Sequence, residues 1–176
     1  MLRLALAATA ALTVLLAPAH AADIKQIDCV EKTVDKPTVK LLDDDVNKNF
    51  TDLDNQAYSQ GTIAGFRAAA ATCRAKYGWS DNASEAAVLY ALYALSNANV
   101  RGKAKAAKLD YAKLAARFDK LSESERANAM EDATLNKLAN GALDANEMDA
   151  SNAKVAGAVF GFLAVRAKAM VDFAAN

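Results

Sequence analysis

Histidine is almost missing from this chain of 176 residues. The only one, His20, lies in an N-terminal stretch that reads as a removable address. Beyond that stretch there is no imidazole. Its absence excludes a Ser-His-Asp or Cys-His nucleophile, a histidine-ligated zinc or copper site and a histidine-ligated haem. It also removes the side chain best suited to change charge near neutral pH. Cysteine is scarce as well: Cys29 and Cys73 are spaced far from C-x-x-C, so no redox-active motif is suggested. Surplus positive charge is lacking. Losing Arg3 and no acid takes the basic residues from 21 to 20 against 21 acids, a net charge of one negative. A nucleic-acid binder needs a basic stripe, so none is expected. Long apolar runs are absent too. Leu4 to Leu16 and Val155 to Val165 both fall short of the ~20 residues of a membrane span, which argues against stable insertion.

What is present begins with a targeting pattern. Arg3 supplies a small positive region, Leu4 to Leu16 an apolar core, and Ala19-His20-Ala21 the small residues that a signal peptidase reads. Residues 1–21 are therefore expected to be a cleaved signal peptide and residues 22–176 a single helical domain. Its first part, residues 22–42, is expected to be a strap. The chain is placed in the periplasm of a bacterium or secreted into its medium. An exported chain with two cysteines invites one disulfide, Cys29 to Cys73. Closing a loop of roughly 45 residues predicts ~4 kcal/mol of stabilisation on the chain-entropy argument.

Alanine is abundant and β-branched residues are sparse after position 40, so almost pure helix is expected from about residue 43 onward. The fold class is all-α, a bundle of about five to six helices with one disulfide. Ala83 to Leu95 is the organising stretch. From Ala86 to Leu95 it is apolar or aromatic all round, as the buried helix of a bundle would be. Ser80 or Asp81 caps it, and it runs to about Asn99. Before it, Asp43, Asp44 and Asp45 suit a helix start. They lead into one long helix kinked near Ser59 to Gly61, or two helices. After it come an amphipathic segment over Lys103 to Lys120 and a helix opened by Ser122-Glu123-Ser124-Glu125, a capping box. That helix carries Met130 on its apolar stripe and stops at Asn140-Gly141. A last helix is capped near Asp144 to Glu147 and runs to about Ala174. Gly78, Gly102 and Gly141 are read as helix stops. Gly61 with Gly65, and Gly157 with Gly161, are read as close helix contacts, with another helix or with each other. Trp79 is read as a lid on the core.

Three features carry candidate chemistry. Asn140, Asp144 and Glu147 match the second half of an EF-hand calcium loop. Counting back, however, Leu138 falls on a ligand position, and a helix stop followed by a cap explains the same residues. Tyr90 and Tyr93 place hydroxyls on an apolar helix. They either line a ligand pocket or are core tyrosines with satisfied hydroxyls, the commoner case. Acids are plentiful enough for carboxylate catalysis, yet no pair can be named from spacing alone. No cofactor is expected.

Leu121-Ser122-Glu123-Ser124-Glu125-Arg126 resembles the L-T-x-x-Q-R turn of small helical periplasmic stress chaperones of the Spy and CpxP type, with Ser for Thr and Glu for Gln. The match covers six residues with no second copy, and a disulfide is not part of that pattern. A capping box alone generates the same string. The resemblance implies an exported helical protein that binds other polypeptides. The leading expectation is accordingly a small non-catalytic protein that binds another protein, in envelope stress or as an inhibitor. A carrier of a small apolar ligand in the bundle core is the second reading. A carboxylate-dependent hydrolase of a wall polymer is the third.

Overall fold

A computed structural model describes residues 22–176; the expected signal peptide lies outside the described residues. These residues form α1 (Cys29–Thr33), α2 (Lys36–Thr51), α3 (Gln60–Tyr77), α4 (Asp81–Ala106), α5 (Tyr111–Asp119), α6 (Glu123–Ala127), α7 (Asp132–Asp144) and α8 (Ala153–Ala175), preceded by a 3-10 turn at Ile24–Gln26. Among the described residues the architecture is all-helical, with no strand. The eight α-helices exceed the expected five to six.

The extra helices have local causes. Residues 22–42 hold the 3-10 turn, α1 and the first part of α2. The Asp35 side chain accepts from the Thr38 amide at 2.8 Å and caps α2, with Pro37 in the first turn. Proline's fixed φ suits that position, and its missing amide hydrogen costs nothing there. Asp43, Asp44 and Asp45 therefore lie within α2 and do not cap it. Of the two arrangements expected around Ser59 to Gly61, the structure has two helices: α2 ends at Thr51 and α3 is capped by Ser59. The capping box at Ser122 and Glu125 is present, but α6 is short. The chain turns before α7, burying Ala129 and leaving Met130 48 % exposed, so Met130 is not on a core stripe.

Gly78 ends α3 in the left-handed conformation, φ 70°. Gly102 and Gly141 do not stop helices; they lie inside α4 and α7. The left-handed turns fall instead at Lys108, φ 60°, and Asn146, φ 54°. Gly141 has a packing reason, since the Arg117 guanidinium occupies the space where its Cβ would stand. Asp144 to Glu147 closes α7 and does not open α8, which follows Asn152.

The core is organised around α4, as its composition suggests. α4 and α8 run antiparallel along their lengths. Trp79, just before α4, meets Phe173 edge-to-face at 5.0 Å. Tyr93 stacks on Phe162 at 4.6 Å. Asn152 reaches the Ala107 carbonyl at 3.4 Å at the other end. Ala83, Ala86, Ala87 and Ala91 on α4 and Ala156, Ala164 and Ala169 on α8 are buried, and such small side chains permit close approach. α1, α2, α3 and α5 also pack on α4. The helix is not buried all round, however: Leu89, Leu92 and Tyr93 keep partial exposure. Trp79 is 5 % exposed and lies between Tyr77 and Phe173, as a lid would.

The Cys29–Cys73 disulfide joins α1 to α3 across a Cα–Cα distance of 6.0 Å. The two small-residue pairs behave differently. A Cβ at Gly65 would overlap Thr38, so α3 needs that glycine to approach α2, whereas one at Gly61 would stand 2.8 Å from Cδ1 of the exposed Leu41, a side-chain end that can give way. A Cβ at Gly157 or Gly161 meets nothing within 4 Å, so this pair is not a helix contact.

Substitution therefore separates the pairs. Gly65→Ala should destabilise the fold by about 1–3 kcal/mol through overpacking. Gly161→Ala should stabilise it by about 0.5–1 kcal/mol through helix propensity. Urea denaturation of the two variants checks both signs. Replacing Cys29 and Cys73 by Ala should cost about 2–5 kcal/mol in the same assay.

Candidate functional site

The open face at Gly157 and Gly161 belongs to a groove of about 480 Å³. Four segments build it. The C-terminal half of α2 contributes Val46, Asn49 and Phe50. The loop from 52 to 59 contributes Leu53, Asp54, Gln56 and Tyr58. α4 supplies Leu89, Leu92, Tyr93, Ser96 and Val100, and α8 supplies Gly157, Ala158, Gly161, Phe162 and Val165. Met130 stands at the edge. Two glycines one turn apart on α8 leave a trench that side chains would fill. Leu89 and Leu92 of the central helix, both partly exposed, border it.

The loop forming one wall is tied down by polar contacts. Asn49 Oδ1 accepts from the Ala57 amide at 2.9 Å. Asp45, 8 % exposed, accepts from the Ser59 amide at 2.8 Å and from Thr62 Oγ1 at 2.6 Å. Burial opposes its charge, but the hydrogen bonds from Thr62 and Ser59 outweigh that and hold the Asp45 carboxyl below its usual value. Across the mouth, Lys154 Nζ donates to Asp54 at 2.9 Å. That exposed pair adds little stability.

The structure separates the two candidate tyrosines. Tyr93 borders the groove; Tyr90 does not. Both border a second, more polar hollow of about 450 Å³, with Asn97, Arg101, Tyr111 and Arg166. There the Tyr111 hydroxyl donates to Asn97 Oδ1 at 3.0 Å, and the Arg101 guanidinium lies 4.9 Å over its ring. Burial pushes the Tyr111 hydroxyl well above the ordinary tyrosine range, and the neighbouring Tyr93 adds to this. Arg166 lies 5.5 Å over the Tyr93 ring. Glu31 and Asp119 also border this hollow.

The half EF-hand reads differently in space. Asn140 and Asp144 are exposed positions on α7, and Glu147 lies beyond the left-handed Asn146. The Glu147 carboxylate accepts from Arg117 Nε at 2.7 Å. That hydrogen bond, opposed by burial, holds its carboxyl below the usual range. Among the described residues no three His, Cys, Asp or Glu side chains converge to hold a metal. In the resemblance to the stress chaperones, Leu121 is buried, Ser122 to Ser124 are exposed, and the half-buried Glu125 pairs with Lys137.

Sequence reasoning missed the groove. Its signal was present in Gly157 and Gly161, but spacing alone does not say whether a glycine pair faces a neighbour or a void. Ser96, the first polar residue after the apolar run, was passed over. No protein-family model matches this chain, and neither a curated protein nor a solved structure matches it.

The depressed Asp45 carboxyl sets an acid dependence. A carboxyl whose folded value lies below its unfolded value contributes stability fully present above the unfolded pKa, ~3.9. That contribution is lost as pH falls through the folded value. Asp45→Asn should therefore cost about 1–3 kcal/mol at neutral pH. The deficit should shrink as pH falls below ~4, which denaturation measured across the acid range checks.

Proposed function

We propose that this chain is an exported, non-catalytic binding protein whose groove between α2, α4 and α8 takes a small apolar ligand. The observation that carries the reading is the trench at Gly157 and Gly161, which opens about 480 Å³ onto apolar side chains of the central helix. Sites for small molecules typically occupy ~300–1,000 Å³ and are lined mainly by apolar groups. The groove is the second of the functions considered from sequence, with Tyr93 and the last helix as boundaries but without Tyr90. It is half open rather than closed. Export rests on the signal-like N-terminus, and the Cys29–Cys73 disulfide is compatible with it. Among the described residues no helix is long and apolar enough to cross a membrane.

A protein partner, the leading expectation from sequence, is retained as the second reading. Met130 and Tyr58 favour it, because both border the groove and are 48 % and 41 % exposed. Apolar side chains of another chain would find them first.

N-phenylnaphthylamine, a neutral dye that brightens in apolar surroundings, tests the leading reading. It should bind the oxidised wild-type protein. Binding should weaken at least about tenfold in Gly161→Leu, which fills the trench while the thermal midpoint holds or rises. Absence of binding to wild type, or equal binding to both proteins, would sink the groove as a ligand site. A pull-down that captures a partner on wild type but not on Gly161→Leu, without dye binding, would move the assignment to the second reading.

A further inference from the structure

Among the residues that line the groove, one buried side-chain oxygen is left without a partner by the fold. Ser96 lies on the α4 face that lines it, one turn beyond Tyr93, and is 1 % exposed. Its hydroxyl makes no hydrogen bond. Buried polar side chains nearly always find a partner, so an orphaned one asks for an explanation. A serine within a helix commonly relieves itself by donating to the carbonyl four residues back. Ser96 does not, although Leu92 stands at that position.

The rest of the lining restricts what can approach it. Its only charged side chains are Asp54 and Lys154, and these neutralise each other across the mouth at 2.9 Å. No uncommitted charge faces the interior. An ionised head group drawn in among Phe50, Leu89, Leu92 and Phe162 would lose its hydration without gaining a counter-ion. A hydroxyl or carbonyl oxygen would lose far less and would gain Ser96, which can both donate and accept.

We infer that the ligand is a neutral amphiphile, an apolar body carrying one hydroxyl or carbonyl oxygen that pairs with Ser96 Oγ inside the groove. This rests on the apolar-ligand reading above and specifies its chemistry. Ser96 contributes selectivity, and the apolar walls contribute most of the affinity.

Displacement of N-phenylnaphthylamine separates the two levels. Decanol and decanoate share a chain and differ in head group. Decanol should displace the dye from wild type at about a tenfold lower concentration than from Ser96→Ala, the equivalent of one buried hydrogen bond. Decanoate, kept ionised, should be the weaker competitor on both proteins. Ser96→Ala should leave the thermal midpoint unchanged or raised, because alanine removes a hydroxyl that nothing satisfies. Equal potency of decanol on the two proteins would overturn the pairing with Ser96. Stronger displacement by decanoate would overturn the neutral head group and point to Lys154. A lowered thermal midpoint in Ser96→Ala would assign the hydroxyl a structural role instead. Failure of the dye to bind wild type, or its indifference to Gly161→Leu, would fell the groove reading beneath all of these.

Discussion

The antiparallel contact between α4 and α8 is the constraint on which everything else depends. Two helices of 26 and 23 residues lie side by side, and both bury several alanines, side chains small enough to permit close packing. Their packing aligns Trp79 with Phe173 at one end and Asn152 with Ala107 at the other. The remaining helices are arranged around that pair, and each buries one stripe against it or against a neighbour. A pair of long helices with thin side chains is rigid but poor in volume. The aromatic residues at its ends and middle supply the bulk that the alanines do not.

The groove follows from the same pair. Where α8 carries glycine rather than alanine, the close-packed face runs out and the wall of α4 is left bare. The loop from 52 to 59 then becomes the second wall, fixed by Asp45 and Asn49 from α2. A buried carboxylate accepting two hydrogen bonds holds such a loop more firmly than the exposed Asp54–Lys154 pair can.

Features that depend on a residue and its near neighbours were legible in the sequence. The helical class, the caps at Ser80 and Ser122 and the left-handed Gly78 are of that kind, while the long-range Cys29–Cys73 bond was legible because the chain holds just two cysteines. Boundaries failed where a non-glycine residue took the left-handed turn, as Lys108 and Asn146 do, because glycine at 102 and 141 offered a better local candidate. Asp43 to Asp45 read as a helix start since three acids in a row suit one. The cap was Asp35, and burial of Asp45 is visible only once α3 folds back over it. Tyr90 and Tyr93 both stand out in the sequence as hydroxyls on an apolar helix, and the groove takes only Tyr93. Its place on the groove depends on which side α8 takes, and spacing does not encode that.

The helix α1 is five residues long, far below the length at which a helix persists unaided. Yet Val30 within it is fully buried, and its Cys29 is tethered to α3. The cover that Val30 gives to that end of the core therefore hangs on a covalent tether and on burial, not on the helical propensity of five residues.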